Sequence, residues 1–121
     1  MKVIYIAGPI TASSPEIRQK NIEYACKRAA YYWNQGYSVI CPHANTKNVE
    51  DYTASNFDDT QWLKGGLEQL HRCDAIVLLP NWESSYGSKQ ELRVAIENNL
   101  EIIIDRELTN QLQHLEMEAT E

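Results

Sequence analysis

Four short apolar runs punctuate the chain at intervals that few folds accommodate: KVIYIA at 2–7, YSVICP at 37–42, DAIVLLP at 74–80 and LEIIID at 100–105. The first and third are nearly continuous rather than alternating, the pattern of a buried strand, and the second and fourth read as further strands. The stretches between them are long enough for helical crossovers. From Pro15 to Gln35 the residues Ile22, Ala25, Cys26, Ala29, Ala30 and Trp33 recur at helical spacing, with Ser14 as N-cap, Pro15 in the first turn and Gly36 as the stop. Residues 58–73 place Trp62, Leu63, Leu67 and Leu70 on one helical face. The Gly65-Gly66 pair inside that segment costs about 1 kcal/mol per glycine relative to alanine and suggests a kink or a break. Residues 88–99 carry a stripe of Leu92, Ala95, Ile96 and Asn99. Residues 43–58 hold many turn formers and no strong period, so they read as a long loop with at most one short helical turn. A last amphipathic helix is expected between Arg106 and Glu121.

Strand–helix alternation of this kind implies a single α/β domain over residues 1–121. The expected architecture is an open parallel sheet of about four to five strands with helices on both faces, flavodoxin- or Rossmann-like in outline. Ligands of such sheets bind beyond the carboxyl ends of the strands, where the strand order reverses. The loops at 8–13, 42–57 and 80–87 all leave strand carboxyl ends and should therefore converge. Neither a GxGxxG dinucleotide fingerprint nor a phosphate-binding P-loop is present. The formal net charge of −6 opposes a nucleic-acid polymer as partner, because phosphate contacts need a concentrated positive field. No apolar run is long enough to span a membrane. Cys26, Cys41 and Cys73 are isolated, without metal-ligand or disulfide spacing, so no metal and no cofactor are expected and a cytoplasmic setting fits.

Glu91 stands out among the chemical groups. With Ser85 capping the third helix, Glu91 lies a further turn beyond Ser88, at the border of the apolar stripe. It is either a surface glutamate near a helix N-terminus or a partly desolvated carboxylate facing the crevice. Tyr5, in the middle of the first strand, needs a partner for its hydroxyl if enclosed. That partner is a backbone carbonyl or Glu91. Gly8, Pro9 and Gly87 permit tight bends beside the crevice. Ser85 and Ser88 offer donors at a helix start, His43 follows the second strand, and Trp82, Tyr86 and Trp62 offer stacking surfaces.

These positions resemble the nucleoside 2-deoxyribosyltransferase-like superfamily, which includes deoxyribosyltransferases and 2′-deoxynucleoside 5′-monophosphate N-hydrolases. The resemblance covers residues 2 to 105 and rests on YIAGPIT and CDAIVLLPNWESSYGSKQEL. Its most specific element is Ser85, Gly87, Glu91 and Leu92 in an S-x-G-x-x-x-E-L spacing. The resemblance implies Glu91 as nucleophile, Tyr5 as its hydrogen-bond partner, Ser85 at the 5′ end of a nucleotide and His43 near the ligand. It implies cleavage or transfer of an N-glycosidic bond of a nucleoside or nucleotide, hydrolysis by a small margin, and a homodimer or larger homo-oligomer.

Three departures accompany it. The family's sugar-holding aspartate falls at Gly66, or Gly65 in a shifted register, and Asp58 or Asp59 could replace it only if the chain bends at the glycines. The hydrolases' phosphate-binding arginine falls at Thr11 and a first-loop serine at Pro9. The second glycine of the helix turn is Lys89. The alternative these departures favour is a non-catalytic nucleotide-binding module on the same fold.

Overall fold

The computed structural model describes residues 1–106, and the helix expected between Arg106 and Glu121 falls almost wholly outside them. Four strands, β1 (Val3–Ala7), β2 (Ser38–Ile40), β3 (Ala75–Leu78) and β4 (Glu101–Ile104), form one sheet in the order β2-β1-β3-β4. Every neighbouring pair is parallel, with Tyr5 of β1 in register with Ile40 on one side and Ile76 on the other. The fold is thus the expected open parallel α/β sheet with helices on both faces. The strand order reverses between β1 and β3, so the switch point lies at their carboxyl ends.

Helix α1 (Pro15–Asn34) begins as its sequence dictates, with the Ser14 hydroxyl accepting from the Ile17 amide. Gly36 ends it with a φ of +96°, a conformation glycine adopts without strain. Its buried face runs through Ile22, Ala25, Ala29 and Tyr32. Trp33, expected in that stripe, is about half exposed, because Tyr32 completes the turn against Tyr37.

Residues 42–52 are not a loop. Helix α2 (Pro42–Val49) runs into a 3₁₀ turn at Glu50–Tyr52. Pro42 opens the helix, and its buried positions, His43 and Thr46, are spaced i, i+3 but polar, so the segment has no hydrophobic period to read. Helix α3 (Asp59–His71) is continuous through Gly65-Gly66, without a break. A capping box between Asp58 and Gln61 starts it. Helix α4 (Tyr86–Glu97) buries Ser88, Glu91 and Ala95, whereas Ile96, expected inside, is more than half exposed.

Alternation along β1 divides the core. Ile4 and Ile6 pack with Ala25, Ala29 and Tyr32 on the α1 face. Tyr5 and Ala7 pack with Leu70 and Ala95 on the face covered by α3 and α4. This placement agrees with right-handed crossovers leaving the switch point in opposite directions. Asp74 accepts from the Val3 amide at 2.8 Å at the amino end of the sheet, a structural tie far from the switch point. No helix among the described residues is long and apolar enough to cross a membrane.

Candidate active site

At the carboxyl ends of β1 and β3 opens a cleft of about 790 Å³, within the range of small-molecule sites. The loops after β1 and β3 and the start of α2 converge there. Of the residues singled out from sequence, Tyr5, Gly8, Pro9, His43, Ser85, Gly87, Ser88 and Glu91 all line it. Trp82 does not. It sits in the 3₁₀ turn after β3 with its ring packed on the α3/α4 side of the core, while Trp62 and Tyr86 line the cleft instead.

The floor of the cleft is a buried pair. Tyr5 is 1% exposed and Glu91 9%. The Tyr5 hydroxyl hydrogen-bonds the Glu91 carboxyl. Burial raises the Glu91 carboxyl from 4.5 to about 7, and the hydrogen bond from Tyr5 opposes that rise by favouring the anion. Burial, and then the Glu91 charge beside it, hold the phenol far above its ordinary range, so Tyr5 remains a donor. The sequence places Glu91 here through its cap. The Ser85 hydroxyl accepts from the Ser88 amide at 3.1 Å, which fixes the first turn of α4 and aims the next turn at β1.

His43 is 2% exposed, and burial pushes it down to about 4 despite its backbone hydrogen bonds. It is therefore neutral near pH 7. Its Nε2 lies 3.1 Å from the Pro9 carbonyl, which can only accept, so the proton sits on Nε2. His43 Nδ1 and Ser88 Oγ are both buried without a hydrogen-bond partner among the described residues. His43 thus pins the loop after β1, and the site retains an unmatched acceptor and an unmatched hydroxyl at its wall.

Gly8 and Gly87 do not serve as positive-φ bends; among the described glycines only Gly36 has positive φ. A Cβ on Gly8 would lie 2.9 Å from Leu79 Cβ, so this glycine permits close packing of the loop on the sheet. Gly87 lies in the first turn of α4 with no atom nearer than 3.9 Å to a Cβ placed there.

Sequence reasoning overlooked Arg18 and Glu50 as cleft residues, and admitted Asp59 only with a bend at the glycines. Arg18 forks onto Glu50, with Nη2–Oε2 at 2.8 Å and Nη1–Oε1 at 3.3 Å, and both side chains remain about one-third exposed (32% and 34%). The signal for Arg18 was available. It lies in the first turns of the helix after β1, at the end of the sheet where the ligand crevice forms. Glu50 was hidden by the misread of α2. Asp59 reaches the cleft from the first turn of α3, which runs unbroken through the glycines. Among the described residues no group of three or more His, Cys, Asp or Glu side chains converges as a metal site.

The fold is similar to that of the 2-deoxyribosyltransferase from the psychrotolerant bacterium Bacillus psychrosaccharolyticus, with a TM-score of 0.61 over 84% of this chain and 70% of that one. Sequence identity between them is 18%, so the likeness establishes the fold. No curated protein matches the sequence. A family model matches residues 2–104, nearly all of the described chain, and the protein accordingly belongs to the family described as a domain of unknown function, DUF4406.

Proposed function

We propose that this protein cleaves the N-glycosidic bond of a nucleoside or nucleotide, with Glu91 as nucleophile. The observation that carries the reading is the buried Tyr5–Glu91 pair on the floor of a nucleoside-sized cleft at the switch point. The structural neighbour is named for deoxyribosyl transfer, which agrees in reaction class.

Ionised Glu91 attacks C1′ of the sugar as the C1′–N bond breaks, and the bonding electrons leave with the base nitrogen. A glycosyl ester on Glu91 results. The transition state has oxocarbenium character, and a carboxylate held in a low-dielectric site stabilises it more than one in water. Attack of water on C1′ then frees the sugar and returns the carboxylate, the proton lost by the water balancing the one the departing base takes up; a second base in place of water would make the reaction a transfer. Tyr5 donates its hydrogen bond to whichever Glu91 oxygen is not attacking, fixing the carboxylate plane. Trp62 and Tyr86 supply aromatic surface for a base. His43, neutral with its proton committed to Pro9, offers only an acceptor and does not protonate the leaving group.

Because Glu91 must be ionised, turnover should rise with pH through about 7. The test is a panel of nucleosides, deoxynucleosides and their 5′-monophosphates, alone and with a free second base, followed by chromatography. Base release that disappears in Glu91→Gln supports the reading; equal release by the variant refutes it.

A second reading draws on one observation: Gly66 carries no carboxylate where the resemblance expects one to hold the sugar. On that reading the cleft binds a nucleotide without turnover. Thermal stabilisation by a nucleotide, with no base released on long incubation, would favour it.

A further inference from the structure

The two glycines in the middle of α3 are not equivalent. A Cβ on Gly65 would meet nothing within 4 Å, whereas one on Gly66 would lie 2.5 Å from the Tyr5 hydroxyl oxygen and 3.7 Å from its Cζ. The first distance is far inside van der Waals contact and the second is ordinary contact. We propose that Gly66 is a positioning residue of the site: its bare backbone gives the Tyr5 hydroxyl the room it needs to reach Glu91.

The neighbouring atoms cannot yield cheaply. Tyr5 is paired on both sides in the middle of the sheet, and its ring is enclosed by Leu70, Ile76 and Ala95. The phenol oxygen is the end of a rigid ring, not of a flexible chain, so an added methyl must tilt the ring or push α3 off the sheet. Either movement draws the hydroxyl away from Glu91. A mid-helix glycine is unfavourable by itself, and Gly66 has a packing reason to be there that Gly65 lacks. It also follows that no carboxylate could stand at position 66 while Tyr5 keeps its place.

The charged and titratable groups around the pair are few. Tyr5 faces Glu91 and the Cys73 and Cys41 thiols. Across the cleft stand Asp59 of α3, Arg18 of α1 bonded to Glu50, and neutral His43 of α2. A change at Gly66 touches none of these directly, so a change in Glu91 titration reports on Tyr5.

The experiment follows the Glu91 carboxyl carbon by NMR against pH in protein labelled at the glutamate side-chain carbon. The wild type is compared with Gly66→Ala, Tyr5→Phe, the double variant and Gly65→Ala, with melting temperatures measured in parallel. Tyr5→Phe removes a hydrogen bond to the anion and should raise the Glu91 midpoint by about one pH unit. Gly66→Ala should raise it in the same direction and lower the melting temperature. In the Tyr5→Phe background the added methyl meets only ring carbon, so Gly66→Ala should leave the midpoint where Tyr5→Phe put it and no longer lower the melting temperature. Gly65→Ala should leave the midpoint unchanged. A Gly66→Ala protein that does not fold, beside a folded double variant, also supports the steric account. An unchanged Glu91 midpoint in Gly66→Ala, or equal damage in the two backgrounds, overturns it. A lowered kcat for Gly66→Ala at unchanged KM is the added expectation that rests on the proposed function. The titration reads Glu91 whether or not any base is released, so the two readings fail separately.

Discussion

Replacing Glu91 by glutamine should make this protein more stable, and only where the carboxyl would otherwise be charged. Burial raises the Glu91 carboxyl from 4.5 to about 7. A group whose folded value lies above its unfolded value binds more protons when folded, so folding stability falls as pH rises between the two values. The destabilisation is absent below 4.5 and complete above 7. At 1.36 kcal/mol per unit, a displacement of about 2.5 units corresponds to roughly 3 kcal/mol. Glutamine keeps the shape and an oxygen that accepts from Tyr5, but carries no charge. Near pH 8 the variant should exceed the wild type by up to about 3 kcal/mol, on the order of 10 °C in melting temperature for a domain of this size. Near pH 4.5 the two should melt together. His43 shifts in the opposite sense, from 6.5 to about 4, so its contribution to stability is present above 6.5 and lost as pH falls through 4. Both proteins carry His43, and its effect cancels in their difference. The assay is thermal unfolding of both proteins from pH 4.5 to 8.5. A variant no more stable than wild type at pH 8, or a gap that does not grow between pH 4.5 and 7, would refute the claim that Glu91 is a desolvated carboxyl.

Arg28 donates to Asp105 at 2.7 Å, with the two side chains 11% and 1% exposed. Arg28→Ala should therefore cost about 3–5 kcal/mol by taking a charged partner from a buried carboxylate, measured by urea unfolding at pH 7. Gly8→Ala should cost about 1–3 kcal/mol, because its Cβ would press on Leu79 at 2.9 Å. Gly87→Ala, with its nearest contact at 3.9 Å, should fold as well as wild type, and a rise in its KM would locate substrate beside Gly87. If substrate carries a 5′-phosphate, Arg18 must exchange Glu50 for it. Arg18→Ala should then raise KM at least tenfold for monophosphates and leave nucleosides within about twofold, since an arginine–phosphate fork adds more than 1.4 kcal/mol.

How far each element could be read from sequence depended on what its buried face is made of. Strands β1 and β3 were legible because a fully buried parallel strand has to be apolar at every position, as Ile4, Ile6, Ile76 and Val77 are. At Glu91 the distance from the Ser85 cap left a surface glutamate and a desolvated carboxylate both open, and only the resemblance favoured the second. Helix α2 was not legible, because the residues it buries are His43 and Thr46. Periodicity cannot register a helix whose inward face is polar, and that polar face lies there because it lines the cleft. Trp82 misled for the converse reason: an aromatic in a loop can be drawn into the core, as this one is. The Gly65-Gly66 pair looked like a weakness in a helix. Only the distance to the Tyr5 hydroxyl separates a tolerated glycine from a required one.

The two faces of the sheet divide the work of the molecule. On the α1 side, β1 and β3 present Ile4, Ile6, Val77 and Leu79 to Ala25 and Ala29, hydrocarbon against hydrocarbon, and the buried charge there, Asp105, is paired with Arg28. On the α3/α4 side, the same strand turns Tyr5 inward, and the next helix buries Ser88 and Glu91 in successive turns. A carboxyl held there near pH 7 weakens the fold, and a hydroxyl without a partner weakens it further. Strand alternation is what allows both on one strand, since each successive side chain faces the opposite layer. The buried acid and the unmatched hydroxyl are thus collected at the carboxyl end of one layer, where the strand order reverses and a ligand can reach them. A buried acid and an unmatched hydroxyl placed together at that point have an explanation in binding and chemistry that they lack in packing.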